Sequence, residues 1–166
     1  MSTPATTNQD DLRSRLPDPN QFIPELGAIA GGMFKATRNG SIPEATIGLV
    51  QLRAGQVVGN TYHTVGRASD LRKAGETEER ITAVASWRDA PFFSDAERAA
   101  LELAEAVLTP NPSGERVPDE LYARASAHYD AKALWTLTLA ISQMCFWIPV
   151  ALIAKPIPGR EPHWSK

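Results

Sequence analysis

Cysteine is nearly missing from this chain, with one, Cys145, in 166 residues. A lone cysteine excludes an intramolecular disulfide, a CxxC redox pair and a cysteine-based zinc site. It falls in an apolar run, where a thiol is expected to pack as a small inert hydrophobe. Histidine is scarce too, at three, with no pair at ligand spacing, so no metal is expected. Charge of one sign is also lacking. The 17 basic and 19 acidic residues leave a net charge of −2, which gives no overall pull toward nucleic acid or an anionic membrane. There is no glycine-rich phosphate loop, and no cofactor is implied. The N-terminal MSTPATTNQDDLRSR has no basic start leading into an apolar core, so a cytoplasmic protein is expected rather than a secreted one.

The two-residue alternation of strands is absent, and helix starts take its place. Asn20 is placed to cap a helix through Lys35, with Gly40 beyond its end. Ser41-Ile42-Pro43-Glu44 reads as a capping box with an early proline, and Ser94-Asp95-Ala96-Glu97 as a second that opens an amphipathic helix to Leu108. Thr77 caps a helix through Arg88, and Pro91 breaks it. After the loop TPNPSG, Pro118-Asp119-Glu120 opens a short helix to His128. Asp130 caps a long apolar one to Ala154, which Pro149 should kink. Gly31-Gly32 reads as close helix packing.

The total is about seven helices and no strand, so the fold class is all-α, a single-domain multi-helix bundle. Residues 1–17 form a polar, mobile tail, 18–159 the helical domain, and 160–166 an arm able to reach a neighbouring subunit. Residues 134–154 are long enough to cross a bilayer, but Thr136, Thr138, Ser142, Gln143 and Pro149 interrupt them. The centre of a bundle or a subunit interface explains that run better than a membrane. Trp135, Phe146 and Trp147 are read as core or subunit interface.

The most informative stretch is residues 53–77, RAGQVVGNTYHTVGRASDLRKAGET. Read as one helix, it brings Gln56, Asn60, His63, Arg67 and Asp70 within an arc of roughly 80°. Val57, Val58, Tyr62, Val65 and Ala68 fall mostly on the other side, so an apolar surface would back a polar row. His63, with an ordinary pKa near 6.5, suits general acid–base work. The fixed cationic fork of Arg67 suits a carboxylate or an enolate oxygen, and its charge should keep the imidazole neutral. Asn60 and Gln56 suit a carbonyl or a forming oxyanion. Asp70 can pair with Arg67 or touch substrate, and Trp147 can wall a pocket for an apolar substrate.

RKAGET, SWRDAPFF, ERAALELAEAV and LTLAISQMCFW together resemble the carboxymuconolactone decarboxylase superfamily, in particular its alkylhydroperoxidase AhpD-like branch. The resemblance implies an all-helical fold, symmetric homo-oligomers (dimers, trimers or hexamers) and a pocket around the helix just described. In AhpD-like peroxidases that helix carries a CxxC pair followed four residues later by histidine. Aligned through Gln56, Gly59 and RKAGET, those positions are Asn60, His63 and Arg67. Peroxide reduction by that route needs a thiolate and a second thiol, and neither aligned position supplies sulfur. The expected activity is therefore cofactor-independent acid–base chemistry on a small molecule bearing a carboxylate or carbonyl: decarboxylation, isomerisation, cyclisation or lactone opening. The alternatives are a catalytically silent binding or assembly homologue and, third, a residual alkylhydroperoxidase-type oxidoreductase.

Overall fold

The structure is a computed structural model that describes residues 12–160. Residues 1–11 of the expected tail and 161–166 of the expected arm, with His163, lie outside the described residues. Seven α-helices and no strand occur among them: α1 (Glu25–Thr37), α2 (Glu44–Val57), α3 (Thr61–Lys73), α4 (Glu78–Ala83), α5 (Asp95–Leu108), α6 (Asp119–Ser126) and α7 (Ala131–Ala154). The all-α reading holds.

Caps that depend only on neighbouring residues form as the sequence predicts. Thr77, Ser94 and Asp130 each accept a backbone N–H three residues on, and Ser94 with Glu97 completes a capping box. The expected box at Ser41 does not form. Pro43 holds the N-cap in an extended conformation, and the Ser41 hydroxyl instead meets Thr136 of α7 at 2.9 Å. The first helix also starts later than predicted. Asp18 caps a 3-10 turn at Pro19–Gln21, and α1 begins only after Pro24, whose ring disfavours helix at the residue before it. The helix capped by Thr77 ends at Ala83 and tightens into a 3-10 turn, Val84–Ser86.

The centre of the molecule is α2, which packs against α3, α5 and α7. Ile47 and Val50 meet Leu137, Ala140 and Ile141 of α7 on one side. Leu49 and Leu52 meet Leu71, Val84 and Leu101 on the other. One stripe of α7 is buried, including Ala133, Leu137, Ala140, Ile141 and Met144, so this membrane-length helix lays a face into the bundle. Its opposite face carries Trp135, Leu139, Phe146 and Cys145, all exposed. The cysteine is thus not buried packing within this chain, contrary to the sequence expectation. Nor do Gly31 and Gly32 pack closely, since a Cβ at either would meet nothing within 4 Å.

The C-terminal end of α7 is tied down by the chain's own N-terminal segment: Arg15 N–H and the Ser14 hydroxyl both donate to the Ala154 carbonyl, at 2.8 and 2.9 Å. The chain then turns back toward α3, where a Cβ at Gly159 would lie 3.8 Å from Val65.

Candidate active site

Residues 53–77 are two helices, not one. At the end of α2, Gly59 adopts φ 67°, a conformation open to glycine without strain. Gly59 N–H bonds the Gln56 carbonyl at 3.1 Å and Asn60 N–H the Gly55 carbonyl at 2.8 Å. This pair of bonds is a Schellman ending, which satisfies carbonyls a helix otherwise leaves open. Asn60 then starts the next helix, its side-chain oxygen accepting from His63 N–H at 3.0 Å. One glycine and one asparagine therefore stop α2 and launch α3 in a new direction.

The break changes the company each residue keeps. Gln56 stays on α2, where its side-chain oxygen accepts from Arg53 at 3.2 Å. Arg53 is in turn held by Glu105 at 2.5 Å. The five-residue row is therefore divided: Asn60, His63, Arg67 and Asp70 travel together on α3 without Gln56.

The burial of α3 departs from its apolar pattern at His63 and Val65, while Leu71 and Ala68 pack into the core as the pattern implies. Its buried residues are His63 and Leu71, while Val65 is 39% exposed. Of the polar row, Asn60 and His63 are buried, Arg67 is half-buried and Asp70 is exposed; α2 admits them by offering glycine at the contact. A Cβ at Gly55 would come within 3.1 Å of Thr64 N and 3.3 Å of the His63 Cβ, and one at Gly48 within 2.7 Å of Leu71. Close approach thus presses an imidazole and a guanidinium into the α2–α3 seam, where aliphatic side chains would stabilise the fold better.

His63 is 8% exposed. Its ring hydrogen-bonds the Trp147 backbone carbonyl on α7, while Nε2 is buried with no partner among the described residues. A neutral ring with its proton on Nδ1 leaves the Nε2 lone pair free. Burial is the main influence lowering the His63 pKa below 6.5, the Trp147 carbonyl opposes it, and the Arg67 charge lowers it further. The neutral imidazole is thus favoured at pH 7, with burial rather than the expected Arg67 charge as the main cause. The Tyr62 ring, expected to point away, stands edge-on to His63 with centroids 5.4 Å apart.

Arg67 is fixed from both sides. Its Nη2 meets Asp70 at 2.9 Å and its Nη1 donates to the Gln51 side-chain oxygen at 3.2 Å. Gln51 is buried and passes the chain on, its amide donating to Gln143 of α7 at 3.0 Å. The Nε–H of Arg67 is buried and unpartnered. Leaving such a group unsatisfied costs about 1–3 kcal/mol, so two neighbouring orphans mark a place that a ligand or water completes.

Sequence reasoning missed Gln51 and Gln143. Each is a lone amide in an apolar setting, ATIGLVQL and LAISQMCF, and that was the available signal. Trp147 is brought to the site by its backbone carbonyl, while its ring packs on Phe146 with centroids 4.8 Å apart. His128 lies past the end of α6, away from this network.

This inward-facing α3, seated on a central α2, lies in the part of the chain that matches the carboxymuconolactone decarboxylase family, over residues 24–106. The chain belongs to that family. It is 39% identical over 132 residues to the uncharacterized protein YdfG of Bacillus subtilis (strain 168), covering 80% of this chain and 88% of YdfG. The fold is shared with a protein of unknown function from Agrobacterium tumefaciens, a candidate antioxidant defence protein AhpD. That likeness has a TM-score of 0.79 at 22% identity and covers 90% of this chain and all of that one. The fold is shared as well with the debrominase Bmp8, solved as a cysteine-to-alanine form in complex with 2,3,4-tribromopyrrole. There the TM-score is 0.71 at 20% identity, over 80% of this chain and 70% of that one. At such identities the two structures establish architecture alone.

Proposed function

We propose that this family member is a cofactor-independent enzyme that moves a proton on a small carbonyl- or carboxylate-bearing molecule, and that it lacks thiol peroxidase activity. The observation that carries the reading is the buried, unpartnered Nε2 of a neutral His63 beside the unpartnered Nε–H of Arg67. In the step we assign, the Nε2 lone pair takes a proton from the α carbon of a β,γ-unsaturated carbonyl compound. The C–H electron pair becomes the Cα=C bond of a dienolate, and the carbonyl pair moves onto oxygen, where Arg67 holds it. The oxygen pair then re-forms the carbonyl, the double bond shifts to the α,β position, and the imidazolium returns the proton to the γ carbon. No electrons leave the substrate, so no cofactor is required. Asn60 acts as a positioning residue by setting the first turn that carries His63. Asp70 and the Gln51–Gln143 pair orient Arg67. We assign Gln56 no direct role, and Trp147 acts through its carbonyl.

The test is a turnover screen with carboxymuconolactone, β-keto acids and unsaturated lactones, followed by a pH profile on whichever is converted. A base must be unprotonated to act. kcat/KM should therefore be flat at neutral pH and fall as pH drops through the depressed His63 pKa, below 6.5. An acidic limb centred above 6.5, or turnover that requires a thiol reductant and peroxide, contradicts the assignment.

We propose, further, that the protein works as a cytoplasmic homo-oligomer. Thr37 is the only buried residue of α1, and a helix with so little to pack is marginal alone. Beside it stand Phe22 at 71% exposure and, on α7, Trp135 at 69%, more apolar surface than a monomer usually leaves open. Light scattering should give a mass that is a multiple of 18.0 kDa. A mass of one chain contradicts it.

A further inference from the structure

A cleft of about 260 Å³ opens where α3 begins and α7 ends, and neither His63 nor Arg67 lines it. Its apolar walls include Leu152, Ile157 and Pro158, with Asn60 and Tyr62 at the α3 edge. Two cationic residues, Arg13 and Lys155, line it, and among the described residues no carboxylate does. Two of the four carbonyls that the end of α7 leaves open have partners. Ala151 accepts from Lys155 N–H at 3.1 Å, and Ala154 from Arg15 N–H and the Ser14 hydroxyl.

Lys155 adds an independent observation. With φ 50° and ψ 54° it is the one non-glycine residue at positive φ among the described residues. Glycine is the residue that fits this position at a helix end without strain. A lysine at this strained position, in a residue that lines the cavity, points to use of its charge.

We propose that this cleft binds a small organic carboxylate, its hydrocarbon body against Leu152, Ile157 and Pro158 and its charge met by Arg13 and Lys155. The volume lies below the roughly 300–1,000 Å³ typical of sites for drug-sized ligands, which selects a molecule with one ring or a short chain. The inference stands apart from the role assigned to His63.

The test is calorimetric titration of the full chain with benzoate, phenylacetate and hexanoate, with benzamide as the uncharged counterpart of benzoate. At least one carboxylate should bind saturably at millimolar concentration and more weakly as salt rises, with benzamide weaker than benzoate by about tenfold or more. In the Arg13→Gln/Lys155→Gly double variant the carboxylate should lose about tenfold or more in affinity. Lys155→Gly alone should melt no lower than wild type, because glycine relieves the backbone. His63→Ala should bind within about twofold of wild type.

The proposal is overturned if no carboxylate binds, if benzamide binds as well as benzoate, or if the double variant keeps wild-type affinity. It is overturned equally if His63→Ala abolishes binding, since that places the carboxylate in the α2–α3 seam. Loss of turnover in His63→Ala with binding intact separates this cleft from the catalytic assignment.

Discussion

In His63→Ala, turnover falls by about 100- to 10,000-fold, the usual contribution of a positioned general base, while helical circular dichroism and oligomer mass stay at wild-type values. The loss should appear in kcat rather than in KM, because proton transfer belongs to the transition state and not to ground-state binding. The fold should survive because alanine removes a ring whose Nε2 has no partner, although the bond to Trp147 is lost with it. His63→Gln keeps a polar side chain of similar size without a base near neutral pH, and it should be equally inactive. Turnover within about threefold of wild type in either variant would mean that the imidazole does not carry the chemistry.

Glu105→Ala should produce the largest loss of stability, about 3 kcal/mol by urea titration, out of the roughly 5–15 kcal/mol that holds a domain of this kind together. Its carboxylate accepts from Arg53 Nε at 2.6 Å and from the Trp87 indole N–H at 2.9 Å, and it also pairs with Arg88. Alanine strands three donors, two of them on mostly buried side chains. Burial by itself would raise the Glu105 pKa, but donation from Trp87, Arg88 and Arg53 outweighs it and holds the carboxyl below 4.5.

A depressed carboxylate contributes stability that is fully present above its unfolded pKa and is lost as pH falls through the folded one. Wild type should therefore lose stability below pH 4.5, and Glu105→Gln should show a shallower acid dependence. A loss below about 0.5 kcal/mol in Glu105→Ala would place Glu105 among ordinary surface pairs.

How much of this was legible in the sequence follows from the range of each interaction. The Asp130, Thr77 and Ser94 caps act over three residues, and so could be read from neighbours alone. Ser41 looked like a cap for the same local reason, yet its hydroxyl is taken by Thr136, which is 95 positions away. The break between α2 and α3 was written in Gly59-Asn60, a helix stop followed by a helix start. It was obscured because the polar spacing continues in phase across it.

Orientation was harder to read than the helices themselves. Amphipathic reasoning turns an aliphatic face inward, whereas α3 buries His63 and leaves Val65 open. Local rules of this kind fail where polar groups take the place of aliphatic packing. His63 and Arg67 stand side by side because one turn of helix fixes their relation. The Gln51–Gln143 pair spans 92 positions and only the tertiary fold brings it together.

The central claim is the protonation state of one ring, and it can be measured without a substrate. Nitrogen-15 NMR of the histidine rings, followed from pH 8 to pH 4, assigns both tautomer and pKa. The account predicts that His63 is neutral at pH 7 with the proton on Nδ1, bonded to the Trp147 carbonyl, and that it titrates below 6.5. A His63 protonated on Nε2 in its neutral form, or one that titrates at or above 6.5, would contradict it.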